Sequence, residues 1–365
     1  MRNLLVNLIA VAFGTFTLIG SGGLSIAQNA PAPEPSKVIV DPDGTVHVPA
    51  QTVPESEFLS PEGKAYLATH LKQLQTPGQT QNPQDNGVPL MLRPYVAREH
   101  ELYALDRTDG KTGNVHTYIY VPQAGVSAKN KNRVLIDLHG GGFSGCWPGC
   151  AELESMPVSA TMDIKVVSVD YREGPEYKFP AASEDVASVY RELLKTYKPE
   201  NIGIYGCSAG GMLTSMSMAW FQTHGLPSPG AIGIFCASAG GAGGGDSTYT
   251  ANPLGEARIP AQGPSSAPRL GYLSGVDPND PLVAPIKSPE ILAKFPPTLI
   301  ITGTRAMELS SAVYTHEQLV KLGVDAELHV WEGMFHGFFY NPDVPESREA
   351  FDVMAKFFDR HLGHE

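Results

Sequence analysis

The spacing of apolar residues changes several times along the chain, and each change predicts a different kind of structure. Residues 4–19 form an almost continuous apolar run. Residues 28–57 show no apolar period and are rich in Pro, Ala, Gln and Ser, which predicts an irregular leader. In SPEGKAYLATHLKQLQ, residues 60–75, three leucines recur at helical spacing after a capping serine and a proline suited to the first helical turn. We predict an amphipathic helix there, followed by a polar linker over residues 76–88.

The pattern then becomes that of strands. REHELYAL (98–105) and NVHTYIYVP (114–122) alternate in polarity and predict a hairpin whose turn region is DRTDGKTG. Beyond this hairpin, short Val/Ile/Leu-rich runs alternate with helical patterns, which indicates a parallel sheet covered by helices on both faces. The predicted strands are 133–140, 164–171, 201–208, 231–238, 298–304 and 326–332, and the predicted helices are 182–197, 209–223, 311–322 and 347–362. The long Gly-, Pro- and Ser-rich stretch 239–275 predicts a functional loop or cap element.

The N-terminus has the pattern of a secretory signal peptide. Arg2 precedes the apolar run, and Ser25 and Ala27 put small residues at a cleavage site, so we assign residues 1–27 to the signal. The run is shorter than the ~20 apolar residues of a membrane-spanning helix. We therefore expect an exported protein, periplasmic or extracellular, without stable membrane insertion.

The net charge and the cysteines limit which ligands this protein is expected to bind. A formal net charge of −12 argues against nucleic acid as a ligand. Cys146 and Cys150 flank a WPG turn, where a disulfide in an oxidising compartment and two free thiols both remain open. A metal site at this pair lacks a nearby third ligand, so we predict no metal. Cys207 and Cys236 lie in apolar runs typical of buried free thiols.

Three motifs carry candidate chemistry. GCSAGG (206–211) stands between a predicted strand and a predicted helix, where a sharp turn would expose the hydroxyl of Ser208 as a nucleophile. Cys207 is a rival thiol, but it lies beside the apex of this turn. HGGGF (139–143) follows a strand, and its glycines allow backbone N–H groups to converge on an oxyanion, although a plain flexible turn has the same composition. In WEGMFHGF, His336 follows the last predicted strand, where a general base could face Ser208.

Together with DYREGPEYKFPAASED, DPNDPLVAP, FPPTLIITGTRA and LHVWEGMFHGF, these motifs resemble the hormone-sensitive-lipase family of α/β-hydrolase carboxylesterases over roughly residues 95–362. The resemblance implies an α/β class chain with the α/β-hydrolase fold: a mostly parallel central sheet, helices on both faces and a small N-terminal helical cap. It implies a serine esterase without cofactors, with Ser208 as nucleophile and His336 as base. The backbone N–H groups of Gly141, Gly142 and Ala209 would form the oxyanion hole. Residues 58–95 would form the cap and 96–365 the catalytic domain.

One departure from the family concerns the catalytic acid. The family's TGTRD motif supplies the aspartate that orients the histidine, and here TGTRA places Ala306 at that position. Glu308, two residues further on in the same loop, is the first candidate to replace it. Asp246 after the strand 231–238 and Glu332 just before His336 are further candidates, and a site without any acid is the remaining option.

These features predict hydrolysis of small, short-acyl carboxylic esters through an acyl-enzyme. The same site could instead serve amides, lactones or polysaccharide esters. A catalytically weakened or non-catalytic ligand-binding protein of this fold is the alternative that Ala306 favours and that Ser208 and His336 oppose. We expect a small-molecule ester as partner and leave a homodimer open.

Overall fold

The computed structural model describes residues 37–80, 88–241, 243–259 and 271–363. The chain divides into two units, residues 1–53 and 54–365. In the first unit, β1 (Ile39–Val40) and β2 (Val46–His47) pair antiparallel, and the Asp41 N–H donates to the Thr45 carbonyl across their turn. The leader therefore contains a short hairpin where no regular structure was predicted. The predicted signal peptide, residues 1–27, lies outside the described residues.

In the described residues, the second unit is built on one sheet of eight strands. The strands are β3 Leu105–Thr112, β4 Val115–Pro122, β5 Val134–Leu138, β6 Lys165–Val169, β7 Ile202–Cys207, β8 Ala231–Phe235, β9 Thr298–Gly303 and β10 Ala326–Trp331. Their order in the sheet is β10-β9-β8-β7-β5-β6-β4-β3. The strands from β10 to β6 are parallel, whereas at one edge β4 pairs antiparallel with β6 and β3 pairs antiparallel with β4. The four central strands β5, β7, β8 and β9 are buried at every residue, as expected for strands covered on both faces.

Helices cover both faces of this sheet and make two apolar clusters with it. The helices are α1 Pro61–Leu74, α2 Arg93–Leu102, α3 Gly149–Met162, α4 Ala181–Leu193, α5 Ala209–Thr223, α6 Ser247–Thr250, α7 Asn252–Gly255, α8 Pro289–Leu292, α9 Leu309–Lys321 and α10 Pro345–His361. Neighbouring residues of a strand face opposite sides, so that Ile136 joins the cluster under α4, α5 and α9, whereas Leu135 joins the cluster under α1, α3 and α10. The predicted α/β architecture is thus confirmed. Within the described ranges, every helix is too short or too polar to cross a bilayer.

The predicted first strand, 98–105, is wrong. Residues 93–102 form α2, with Pro94 in its first turn, and the expected border between cap and catalytic domain at residue 95 falls inside this helix. The polar stretch predicted as a turn region is instead β3, whose side chains are mostly exposed. β3 is an edge strand, and its pairing with β4 stabilises it. Its sequence therefore does not need the apolar pattern by which strands are recognised.

The apolar pattern of the sequence does not predict helix α3. It is buried nearly all round and contains Pro157, so it lacks the one-sided apolar stripe by which helices are recognised in a sequence. Cys150 lies in its first turn and forms a disulfide with Cys146. The prediction that Cys207 and Cys236 are buried free thiols is confirmed.

Candidate active site

Ser208 occupies the sharp turn between β7 and α5. Its backbone is in an unusual conformation, with φ 57° and ψ −118°. Two neighbouring glycines make this turn possible: a Cβ on Gly206 would lie 2.2 Å from the carbonyl oxygen of Leu138, and one on Gly210 would lie only 1.5 Å from it. The end of β5 therefore packs against the turn so closely that side chains are excluded on both sides of the serine. The Ser208 hydroxyl consequently stands at the carboxyl edge of the sheet.

His336 reaches Ser208 from the loop that follows β10. This loop is tied to the end of β9, since the Gly333 N–H donates to the Thr304 hydroxyl at 2.7 Å and the Arg305 N–H donates to the Met334 carbonyl at 2.9 Å. Nε2 of His336 lies 2.9 Å from Oγ of Ser208. The imidazole is 19% exposed, so its face toward the cavity is open while the rest is packed.

Glu308 completes this arrangement. It lies just before α9, its side chain is completely buried, and its Oε2 accepts a hydrogen bond from Nδ1 of His336 at 2.9 Å. The Thr302 hydroxyl donates to the other oxygen, Oε1, at 3.0 Å. With the Nδ1 proton held by Glu308, Nε2 is left as the acceptor for the Ser208 hydroxyl. The three side chains thus form a continuous hydrogen-bonded chain.

Electrostatics couple the acid and the histidine. Burial by itself lowers the pKa of His336, but the negative charge of Glu308 and its hydrogen bond outweigh burial and raise that pKa above its ordinary value. For Glu308, burial raises the pKa, yet the charge of His336 and the hydrogen bonds it accepts lower it overall. The position of Glu308 at a helix N-terminus also favours a negative charge. The pair is therefore built to stabilise an imidazolium.

The other candidate acids lie elsewhere. Ala306 is completely buried in the turn that leads to α9. Asp246 is exposed at the start of α6, and Glu332 accepts a hydrogen bond from the Ser56 hydroxyl at 2.9 Å. Of Asp246, Glu308 and Glu332, it is Glu308 that contacts His336.

The glycine loop and the start of α5 flank the serine. Gly141 and Gly142 have φ angles of +122° and +66°, which favour glycine, and both line the same cavity as Ser208 and His336. A Cβ on Gly141 would lie 1.9 Å from the Gly145 carbonyl oxygen. Ala209 is the first residue of α5, so its N–H belongs to the unpaired donors of a helix N-terminus.

A cavity of about 390 Å³ opens over the serine. Its walls come from α1, from the segment around α2 and from the loops beside the histidine, and its mostly apolar side chains include Tyr66, Leu74, Met91, Tyr95 and Phe335. His70 of α1 stacks on Phe335 and lies with Nε2 2.9 Å from the Gly255 carbonyl oxygen. Burial lowers the pKa of His70 to about 4, so its imidazole is neutral and donates this hydrogen bond. Glu256 adds a carboxyl group to the wall, with one oxygen that is buried and makes no hydrogen bond to the described residues.

One group of side chains has the composition of a metal site. Ligand atoms of Cys236, Glu308 and His336 lie within 4.8 Å of one another. In the structure, however, Nδ1 of His336 and the Glu308 carboxylate are already paired with each other, which is the arrangement of a base and its orienting acid.

Comparisons with known proteins agree with this fold. Residues 135–340 match the family described as having the alpha/beta hydrolase fold. The chain is 31% identical to an acetyl-hydrolase of Streptomyces hygroscopicus, over 65% of this chain and 78% of that protein. It is 30% identical to the carboxylesterase/phospholipase LipF of Mycobacterium tuberculosis, over 67% of this chain and 69% of LipF.

Solved structures of esterases share this fold. The crystal structure of esterase E25 superposes with a TM-score of 0.74 at 26% identity, covering 87% of this chain and 99% of that one. An esterase from the bacterial hormone-sensitive lipase family gives a TM-score of 0.69 at 25% identity, covering 83% and 99%. The chain belongs to the α/β-hydrolase family, in its hormone-sensitive-lipase group of esterases, as its motifs indicated.

Several residues of the site carried no recognised sequence signal. No motif indicates that Thr302 contacts the acid. It does lie near the carboxyl end of β9, where the functional polar groups of a parallel sheet are usually found. Glu256 lies in the Gly- and Pro-rich stretch that was expected to be functional, but nothing singled it out there. Glu154 and Tyr340, which lie behind the serine, belong to segments whose contacts only the fold creates.

Proposed function

We propose that this protein is an exported serine carboxylesterase that hydrolyses small, short-acyl esters through an acyl-enzyme intermediate. The observation that carries this proposal is the hydrogen-bonded chain from Ser208 through His336 to Glu308, with distances of 2.9 Å at both links. Glu308 takes the role that the family's motif gives to the residue at position 306.

Acylation uses each of these groups in turn. Oγ of Ser208 attacks the ester carbonyl carbon, its proton passes to Nε2 of His336, and the carbonyl oxygen becomes an oxyanion. The N–H groups of Gly141, Gly142 and Ala209 stabilise this oxyanion, and the Glu308 carboxylate stabilises the imidazolium. When the C–O bond breaks, His336 returns the proton to the leaving alcohol. The acyl group is then bound to Ser208.

Deacylation repeats these steps with water. His336 accepts a proton from a water molecule that attacks the acyl carbon, the oxyanion forms again, and collapse releases the carboxylic acid and restores the Ser208 hydroxyl. Glu308 stays ionised throughout, so its part is to hold the Nδ1 tautomer and to balance the positive charge.

The size of the cavity supports short-acyl substrates. About 390 Å³ is at the lower end of small-molecule sites, and the apolar side chains of Tyr66, Leu74 and Tyr95 line the cavity beside the serine. The name of the acetyl-hydrolase relative agrees with a small acyl group. Glu256 adds a carboxyl group to the wall, which disfavours substrates that carry a negative charge close to the ester.

A non-catalytic binding protein is the weaker proposal. A ligand-binding descendant of this fold has no need to keep a buried carboxylate, an imidazole and a hydroxyl within hydrogen-bonding distance. Burying Glu308 completely costs free energy unless its charge is compensated, and His336 supplies that compensation. The free-energy cost of burying this charged pair beside a serine supports a catalytic role for the site.

Export is supported by two features of different kinds. The sequence pattern of residues 1–27 is that of a signal peptide, and the disulfide between Cys146 and Cys150 is typical of an oxidising compartment. Expression in a bacterial host with an intact N-terminus tests this. Mature protein that begins at Gln28 in the periplasm or medium supports export, whereas uncleaved protein in the cytosol contradicts it.

A panel of p-nitrophenyl esters from acetate to decanoate tests the activity. We expect the highest kcat/KM at two to four acyl carbons and no turnover above background in Ser208→Ala. Wild-type turnover in Ser208→Ala would overturn the proposed site. A p-nitroanilide and a lactone in the same panel test the amide and lactone alternatives.

A further inference from the structure

Glu154 is a buried carboxyl group behind the active site that the triad does not use. It lies on α3, the helix that shows no amphipathic pattern, and it is only 2% exposed. Unlike Glu308, it accepts its hydrogen bonds from groups other than His336 and the Ser208 side chain. A glutamate in such a place is costly unless its hydrogen bonds compensate for lost water.

The two oxygens of Glu154 accept hydrogen bonds from three different segments of the site. Oε1 accepts from the Gly140 N–H at 2.8 Å and from the Tyr340 hydroxyl at 2.7 Å. Oε2 accepts from the Cys207 N–H at 3.0 Å. The donors come from the glycine loop (139–143), from the turn that carries Ser208 and from the loop that carries His336.

These bonds fix groups whose orientation matters for the oxyanion. Gly140 directly precedes Gly141. Fixing the Gly140 N–H therefore also fixes the orientation of the next two peptide groups. Cys207 directly precedes Ser208, so holding its N–H fixes the start of the turn that aims the Ala209 N–H. One rigid carboxyl group thus connects both halves of the proposed oxyanion hole. Donors in such a hole are effective because they are held in place before the reaction.

We propose that Glu154 is a positioning residue that sets the relative placement of the glycine loop and the nucleophile turn, and thereby the geometry of the oxyanion hole. This inference rests on the proposed function, because it assumes that Gly141, Gly142 and Ala209 hold an oxyanion.

The surroundings of Glu154 suit this role. Burial raises the pKa of Glu154, and the charge of the neighbouring Asp137 raises it further. Asp137 is buried too, and its Oδ2 accepts hydrogen bonds from the hydroxyls of Ser155 and Ser168. Glu154 therefore keeps its proton to higher pH than an exposed glutamate, which limits the negative charge behind a site that must stabilise an oxyanion.

Glu154→Gln tests the proposal because it keeps the size of the side chain. One of the two oxygens becomes an NH₂ group, which cannot accept, so either the Gly140 N–H or the Cys207 N–H loses its acceptor. We expect kcat on p-nitrophenyl butyrate to fall about 10- to 100-fold, the size of effect that misplaced catalytic groups produce, with KM changed less than about 3-fold.

A second readout does not depend on the choice of ester. A fluorophosphonate reacts with Ser208 by forming a phosphorus–oxygen bond while fluoride leaves and the serine proton passes to His336. The phosphoryl oxygen then occupies the oxyanion hole. We expect the labelling rate of Glu154→Gln to fall in parallel with kcat.

Glu152→Gln is the matched control. Glu152 lies on the same helix, is also buried, and pairs with Arg107 at 2.8 Å and His100 at 3.3 Å, away from the serine. Its substitution should lower the melting temperature without changing kcat or the labelling rate. If both glutamine variants lose kcat equally, or if Glu154→Gln labels at the wild-type rate, the positioning role is wrong.

Failure of this inference is distinguishable from failure of the proposed function. If Ser208→Ala keeps turnover and still labels with the fluorophosphonate, the proposed function fails. If Ser208→Ala is inactive while Glu154→Gln matches the wild type in both measurements, the esterase assignment stands and the role of Glu154 is overturned.

Discussion

Oε2 of Glu308 lies 2.9 Å from Nδ1 of His336, although Glu308 stands two residues beyond the position where the motif of the family has its aspartate. The longer glutamate side chain and its location at the start of α9 bring the carboxylate to the imidazole, while Ala306 fills a buried turn. The acid beside His336 thus comes from a different position of the same loop than in the family's motif.

Replacing the acid should therefore be costly. Glu308→Gln keeps the shape of the side chain but removes the charge that holds the Nδ1 tautomer and stabilises the imidazolium. We expect kcat to fall by about 10³- to 10⁴-fold, as when the aspartate of serine-protease triads is disabled. Stopped-flow or steady-state assays with p-nitrophenyl butyrate measure this. A loss below 10-fold would mean that Glu308 is not the orienting acid.

Restoring the family's aspartate should bring no gain. Ala306 is completely buried, so Ala306→Asp places a carboxyl group in a packed turn beside an acid that already serves His336. We expect unchanged or lower kcat and a melting temperature reduced by several degrees. A rise in kcat above the wild type would contradict the assignment of Glu308.

The pH dependence follows from the pKa of the base. As the proposed base, His336 acts in its neutral form, and Glu308 raises its pKa above the ordinary 6.5, so kcat/KM should rise with pH through a midpoint above 6.5. Removing the carboxylate in Glu308→Gln takes away the cause of the raised pKa and should move this midpoint to lower pH. A pH series of kcat/KM for both proteins checks the direction. If the midpoint is the same in the variant, Glu308 does not set the pKa of the base.

The carboxyl group of Glu256 should select against anionic esters. Burial raises its pKa, so its charge and the discrimination it causes should grow as the pH increases. At pH 8 to 9, Glu256→Gln should raise kcat/KM for a p-nitrophenyl hemisuccinate relative to p-nitrophenyl butyrate by about 10-fold, since a nearby charge in a partly buried site interacts by more than 1 kcal/mol. An unchanged ratio would show that substrates do not approach Glu256.

Gly210, two residues after Ser208, should tolerate no side chain. A Cβ at position 210 would lie 1.5 Å from the Leu138 carbonyl oxygen, so Gly210→Ala forces β5 and the turn apart. We expect little soluble protein or loss of activity beyond 100-fold. Gly243→Ala is the matched control, because a Cβ there meets no atom of the described residues within 4 Å and the melting temperature should stay within about 2 °C of the wild type. Expression yield and thermal denaturation measure both.

The sequence alone determined the sheet-and-helix alternation and the place of the proposed nucleophile. Both are local: runs of Val, Ile and Leu must be buried on two faces, and a serine with a glycine two residues away on either side, between a strand and a helix, admits few conformations. Helix α5 follows Ser208 from Ala209 to Thr223, as the apolar pattern predicted. His336 was recognised for the same reason, from a motif that follows the last strand.

What the tertiary structure decided are contacts between residues far apart in the chain. The link from His336 to Ser208 spans 128 positions and the link to Glu308 spans 28, and the choice of Glu308 over Asp246 and Glu332 depends on where α9 begins in space. Residues 98–102 became helical and α3 had no signal, because packing on neighbouring elements outweighed their own periodicity. The three hydrogen bonds of Glu154 exist only because the fold brings those segments together, and no local pattern encodes them.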